Sequence, residues 1–360
     1  MSKNVGGIMN RHLKKIKSIY FYDKKNTKFV LDKIDKISNG IIVFYNPECI
    51  GIMNSTLEMF DEESTVALYE LFNKKQINEI SDKIASKKIK QVIFSTMAFG
   101  YKELAENIYQ KNSKIKIKFL WHGSHSLFVN PNEQRFLENI LELSKRKIVS
   151  SIGFLKESMA NCYKEKGYNS YFVMNDVSVV NKENYVFTNN DEKDIRIGIY
   201  SSGDRWEKNT YNQLSACAMV KDAKIDMIPK TNLAISFCKL MGIKFQDDSQ
   251  NIAVKREQLL ERMAKNTVNL YVTFTECAPM IPLESLEVGV PCIIGNNTHY
   301  FRGTNLQEYL VVKEEDSIDE IFEKINLCVG KKDEIIKSYK EWKKVYSKQA
   351  KESVINFLNS

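Results

Sequence analysis

Glu276 and Glu284 stand eight positions apart in the stretch TECAPMIPLESLEVGVPC (275–292), which is otherwise largely apolar and holds three prolines. A carboxylate can accept two hydrogen bonds at once from a vicinal diol, so a pair of them at the ends of one turn suits a ligand rich in hydroxyls. The preceding run VNLYVTF (268–274) reads as a strand and PLESLEVG as a helix, with Pro282 in the first turn, where a missing N–H costs nothing. That reading puts Thr275 and Glu276 at the carboxyl end of a strand and Glu284 on the following helix. The loop from Cys277 through Ala278, Pro279 and Met280 to Ile281 is then free to face a ligand beside a helix N-terminus, which favours negative charge. The plainer alternative makes Glu276 a turn cap and Glu284 a solvated helix residue.

Short β-branched runs alternate with segments of helical period along the whole chain, the pattern of βα units and parallel sheets. Strands are expected at 18–22, 40–45, 91–96, 115–121, 147–152 and 170–174, with clear amphipathic helices at 133–146 and 154–166. A polar, Asn- and Asp-rich stretch at 175–194 reads as a linker. The alternation then restarts, with strands at 195–200, 225–228, 268–274, 291–295 and 309–312 and helices near 209–221, 231–241, 254–265, 282–289 and 316–327. The expectation is an α/β chain of two Rossmann-like domains facing across a cleft, residues 1–180 and 181–339, with a C-terminal helix (340–360) docking on the first domain.

Composition narrows the class. Of 360 residues, 43% are apolar and 27% charged, enough for two cores and too apolar for disorder. The most apolar run, GIIVFYNPECIGIM, is broken by Asn46, Pro47 and Glu48, short of the roughly 18 residues a membrane span needs. The N-terminus places its charges after a mixed segment, the reverse of a signal peptide. Seven scattered cysteines without a C-x-x-C pair read as reduced core thiols, so the expected location is cytoplasmic. The net charge of +8 is uneven: residues 1–180 hold 28 Lys and Arg against 19 Asp and Glu, and the remainder 25 against 26. Such asymmetry suits an anionic membrane surface or an anionic acceptor, or reflects lysine-rich composition alone. No basic motif interleaved with aromatics points to nucleic acid. No P-loop, G-x-G-x-x-G, G-x-S-x-G, H-E-x-x-H or strand-linked Asp-x-Asp is present.

The 275–292 segment resembles the E-x7-E signature of retaining glycosyltransferases with the GT-B fold, above all family 4. Glu276, Glu284, Gly289, Val290 and Pro291 match that pattern, whereas Cys277, Ala278 and Pro279 replace the family's usual Gly-Phe-Gly. The resemblance implies that Glu276 meets the donor sugar and Glu284 the ribose. It also implies cations for the donor diphosphate after the first strand of the second domain, in YSSGDRWEKN, where Arg205 and Lys208 match with Gly203 before them. A histidine at the end of the first domain's fourth strand is implied as a contact to the donor sugar. His122 in FLWHGSHSLF fits best, with His125 second. A zinc site from these two histidines would lack further ligands at usable spacing. A glycine-bearing loop early in the first domain would be Gly51, in a strand–loop–helix segment with Asn54, Ser55 or Thr56 as the helix cap.

The resulting expectation is metal-free, retaining transfer of a hexose from a nucleotide sugar to a glycan or lipid-linked acceptor, with peripheral attachment to the inner face of the membrane left open. Two other readings stand beside it: a silent GT-B subunit that scaffolds a partner transferase, and a sugar-nucleotide epimerase. The donor, the acceptor and the oligomeric state are not specified by any residue.

Overall fold

β-Branched and aromatic runs bounded by polar turns become parallel strands, with helices returning the chain between them. A computed structural model describes residues 26–185, 195–246 and 254–360. They fall into two units, one running to Val173 and including Ile355–Ser360, the other Met174–Val354.

In the first unit a helix over residues 26–35 (α1) precedes the sheet. Then follow β1 (Ile41–Tyr45), α2 (Ile50–Met59), β2 (Thr65–Ala67), α3 (Lys74–Ser86), β3 (Gln91–Ser95), α4 (Tyr101–Lys111), β4 (Lys116–Trp121), α5 (Pro131–Lys145), β5 (Val149–Phe154), α6 (Glu157–Glu165) and β6 (Ser170–Phe172). All strands are parallel, in the order β2-β1-β3-β4-β5-β6. Phe44, Phe94, Phe119 and Ile152 are register partners across four adjacent strands and fully buried. The Phe94 and Phe119 rings stack at 4.8 Å. Lys118 points to the opposite face of β4 and is equally buried. Its ammonium donates to the carbonyls of Phe357 (2.6 Å) and Leu358 (2.9 Å) and to Ser360 Oγ (3.0 Å). Orphan carbonyls at a helix end favour a cation, so this lysine ties residues 355–360 to the sheet. Burial pushes its pKa down to about 8.

The second unit comprises β7 (Arg196–Tyr200), α7 (Thr210–Ala218), β8 (Lys224–Ile228), α8 (Asn232–Leu240), β9 (Lys244–Phe245), α9 (Arg256–Ala264), β10 (Val268–Tyr271), α10 (Met280–Glu287), β11 (Cys292–Gly295), α11 (Asn305–Leu310), β12 (Val311–Val312), α12 (Ile318–Gly330) and α13 (Lys332–Asn359) as far as Val354, the residues of α13 from Ile355 on belonging to the first unit. Its parallel sheet has the order β12-β11-β10-β7-β8-β9. The two Rossmann-like units expected from the alternation are therefore present.

The differences have local causes. The expected strand at 18–22 lies outside the described residues. β2 and β9, three and two residues long, were too short to carry a period. The expected strand at 309–312 is reduced to β12, because Tyr309 and Leu310 complete α11. Helix α2 begins at Ile50, before the expected caps, and Asn54, Ser55 and Thr56 lie within it. Asn46 accepts the Glu48 N–H at 3.0 Å and turns the chain into the helix earlier. The polar stretch after β6 begins as packed structure: Asn175 is fully buried and donates to Ala278 O at 2.8 Å, and Val177 and Val179 join the second core. Of the seven cysteines, Cys49 and Cys162 are exposed and the other five are the buried thiols the composition suggested.

A polar network crosses the second core. Asp226, 2% exposed, pairs with Arg262 and accepts from the Tyr200 hydroxyl at 2.6 Å. Asn266 donates to Tyr200 (2.7 Å) and Asn269 (2.8 Å), and Asn269 donates to Ser285 (2.7 Å). Gly198 leaves room for it, since a Cβ there would lie 2.1 Å from Asn269 Oδ1. Breaking a buried pair strands the remaining charge. Asp226→Ala is expected to lower unfolding free energy by about 3–5 kcal/mol in urea denaturation, and a loss below about 1 kcal/mol would contradict this role.

Candidate functional site

β7 and β10 are neighbours in the second sheet, so the loops leaving their carboxyl ends lie side by side. The β10 ladder stops at Tyr271, three residues before the apolar run ends, because side chains take over its pairing. Gln213 on α7, 2% exposed, accepts the Val272 N–H (3.0 Å) and donates to Lys208 O (2.8 Å) and Asn209 O (3.2 Å). The Phe274 N–H donates to Glu207 O at 2.9 Å, and Asn297 donates to Thr273 O. Both loops are thus sewn together at backbone level.

This arrangement brings Lys208 and Glu276 into contact. The Lys208 ammonium, 6% exposed, pairs with Glu276 Oε1 and also donates to the Tyr271 hydroxyl at 3.2 Å. Tyr271 donates to the same carboxylate oxygen at 2.9 Å. Burial first, and then the Glu276 charge, hold the Tyr271 phenol well above its ordinary pKa, so it remains a donor. The cluster is a cation, an anion and a hydroxyl sharing one oxygen at the ends of two adjacent strands.

The other candidates on this unit take different partners. Arg205 is exposed and pairs with the buried Glu207 at 2.8 Å, while Gly203 accepts from Ser201 Oγ at 2.7 Å. Glu284 is 4% exposed and accepts from Arg256 Nε at 2.7 Å, so it is no solvated surface residue. Helix α10 starts at Met280, which places Met280 and Ile281 in its first turn instead of the loop. The loop before it is fixed from behind: Asn175 binds Ala278 O, and the Tyr300 hydroxyl donates to Pro279 O at 3.0 Å. Thr275 and Cys277 are buried. Gly289, at φ +80°, ends the helix in the left-handed conformation, with Val290 N–H returning to Ser285 O at 3.0 Å. The Gly-Val-Pro sequence is therefore a helix stop with a structural cause.

In the first unit His122 follows β4 directly. Its Nε2 lies 2.9 Å from Ser95 Oγ at the end of β3, and Ser95 lies 2.6 Å from Thr56 Oγ1 on α2. Thr56 spends its only proton on Ile52 O at 2.7 Å, so Ser95 must donate to Thr56 and accept from His122. That fixes the Nε2–H tautomer and leaves Nδ1 as an acceptor. His125 is exposed and turns elsewhere, to the Tyr163 hydroxyl at 2.9 Å, with its ring against Phe128. The two histidines do not converge, and among the described residues no three His, Cys, Asp or Glu side chains form a metal-binding group. Gly51 is no loop residue: it sits in the first turn of α2, where an added Cβ would meet nothing within 4 Å.

No protein-family profile matches the chain, and no curated protein matches it in sequence. Solved structures do match in shape. HepE of Anabaena in complex with UDP-glucose superposes with a TM-score of 0.62 at 8% identity, covering 89% of this chain and 99% of that one. The lipopolysaccharide outer core galactosyltransferase WaaB gives 0.56 at 13% identity, over 93% and 94%. An α,α-trehalose-phosphate synthase (UDP-forming) from Burkholderia xenovorans gives 0.52 at 10%, over 91% and 85%. The chain has the GT-B fold. At these identities the likeness is one of fold, and chemistry must be argued from the side chains.

Within that GT-B fold, several residues escaped sequence reasoning. Tyr271 is hidden as a strand aromatic, Gln213 as a helix residue, and Arg256 lies 28 positions before the glutamate it binds. Ser95 and Thr56 carry no motif. Only the placement of Tyr271 within the apolar run that precedes Glu276 offered a signal.

The His122 environment is directly testable. Burial lowers its pKa from 6.5 to about 3, so the folded protein leaves it neutral where the unfolded chain protonates it. The unfolded state therefore binds the extra proton between these values, and stability falls as the pH drops from about 6.5 towards 3. The difference in unfolding free energy between wild type and His122→Gln is expected to shrink by up to about 1.4 kcal/mol per pH unit over that window. A difference independent of pH in urea titrations at pH 5 and pH 7 would contradict the neutral assignment.

Proposed function

We propose that this protein is a retaining, metal-independent glycosyltransferase, similar to family 4, that moves a hexose from a UDP-sugar to a glycan or lipid-linked acceptor. The observation that carries the reading is the Lys208–Glu276–Tyr271 cluster, seated on adjacent strand ends beside the first turn of α10. The fold supports it, and HepE, which shares that fold, is bound to UDP-glucose, in favour of a uridine donor.

In this reading Glu276 accepts hydroxyls of the donor sugar, and Glu284 accepts the ribose diol, sharing its carboxylate with Arg256. Lys208 and Arg205, with the amides of Ala278, Met280 and Ile281 at the helix start, meet the diphosphate. Gly203, Thr275, Cys277 and Pro279 shape the walls. As the bond from the anomeric carbon to the phosphate oxygen breaks, negative charge grows on the departing UDP, and fixed cations already in place stabilise it without reorganisation. The acceptor hydroxyl attacks from the face the UDP leaves, and its proton passes to the departing phosphate oxygen, so no protein nucleophile is required. Residues 1–180 are assigned to the acceptor, and His122 Nδ1 to accepting a hydrogen bond from a substrate hydroxyl. His125 and Gly51 receive no role.

Thermal shift with a panel of nucleotide sugars tests the donor, because a ligand bound only by the folded state raises Tm. A rise with UDP-sugars and slow release of UDP are expected. Interconversion of donors would indicate an epimerase, and no shift with any nucleotide sugar a scaffold. Glu284→Ala is expected to weaken UDP binding about tenfold or more, and Glu276→Ala to lower turnover by about 10²-fold with a smaller effect on binding. Unchanged binding and turnover in both variants would remove the site assignment.

A further inference from the structure

Helix α8 carries an apolar stripe that the second unit covers only at Phe237. Ala234 and Cys238 face the core and are fully buried, whereas Leu233 and Leu240 are 63% and 80% exposed. Seven residues apart, they share one side of the helix with Phe237 between them. The stripe extends at both ends. Met241 follows Leu240, and Leu233 borders a groove of about 350 Å³ shared with Trp206, Tyr211 and Phe274. Trp206 is itself 60% exposed and stacks on Phe274 at 6.1 Å, while Tyr211 meets Phe237 edge-on at 5.4 Å.

The described segment that carries this stripe is basic, with Asp247 and Asp248 following it outside the described residues. Residues 219–245 contain five lysines, Lys221, Lys224, Lys230, Lys239 and Lys244, against two aspartates, and Asp226 is buried on Arg262. Asp222 is exposed. Asp204, at the groove, is engaged by the hydroxyls of Tyr211 and Thr231. Helix α8 has no acidic residue. Exposed leucines with a tryptophan beside them, flanked by lysines, are the composition of a surface that lies in a headgroup layer. A second copy of the chain fits worse, because a symmetric contact would bring the same lysines face to face.

We propose that this face of the second unit docks on an anionic bilayer, with Leu233, Leu240, Met241 and Trp206 entering the headgroup–acyl boundary and Lys230, Lys239 and Lys244 meeting lipid phosphates. The proposal does not rest on the donor assignment, and its test reads attachment alone. In sedimentation at low salt, the full chain is expected to bind vesicles of equimolar phosphatidylcholine and phosphatidylglycerol. It should bind pure phosphatidylcholine at least about tenfold more weakly and release as salt rises. Leu233→Gln with Leu240→Gln, both at exposed positions, should keep Tm and weaken vesicle binding about tenfold. Lys239→Gln with Lys244→Gln should weaken it and flatten the salt dependence. Wild-type binding by the leucine variant would place any attachment elsewhere, for instance in the basic first 25 residues, and overturn the proposal. Equal binding to both vesicle types would overturn it as well. So would a dimer that the leucine variant abolishes while the wild type ignores vesicles.

Discussion

A charged lysine withdrawn from water needs acceptors held against it, and Lys208 finds the Glu276 carboxylate across 68 positions of chain. Such a pair needs its two loops fixed to within tenths of an ångström. The parallel neighbours β7 and β10 supply the coarse placement, and Gln213 supplies the fine one by binding the backbone of both loops. The early end of β10 is the cost of that arrangement: ladder hydrogen bonds give way to side-chain ones, and the freed chain turns Glu276 towards Lys208.

The rest of the second unit backs this centre with polar contacts. Asn175 and Tyr300 fix the carbonyls of Ala278 and Pro279, and the Asp226–Arg262 network runs beneath β7 and β10 to Ser285 on α10. Glu287, one turn beyond Glu284, is held by Tyr339 and Lys182. Interlocked polar groups of this kind hold a helix start in one position. The first unit uses the same device at Lys118, to hold residues 355–360.

Much of this was legible in the sequence because it depends on local order. The alternation of β-branched runs with helical periods gave the two parallel sheets, and the Gly-Val-Pro stop after Glu284 is visible because Gly289 must adopt a positive φ. The glutamate and the cationic loop were singled out separately, and the structure brings Lys208 and Glu276 together while leaving Arg205 on Glu207. What stayed hidden was pairing at long range. Nothing in the composition around Glu284 reveals Arg256, and Gln213 looks like any polar residue on a helix. Gly51 misled for the opposite reason: a glycine after a strand suggests a loop, yet the Asn46 turn starts the helix before it. The exposed leucines of α8 are hidden in the sequence as well, because only a fold can show them to be unpacked.

Lys208 and Glu276 are expected to act as one unit. A double-mutant cycle of Lys208→Met and Glu276→Gln, read in the rate of UDP release from a UDP-sugar, measures that coupling directly. Either change alone is expected to remove nearly as much activity as both together, a coupling of about 1 kcal/mol or more. Single effects that simply add, or a cycle in which neither change matters, would contradict it.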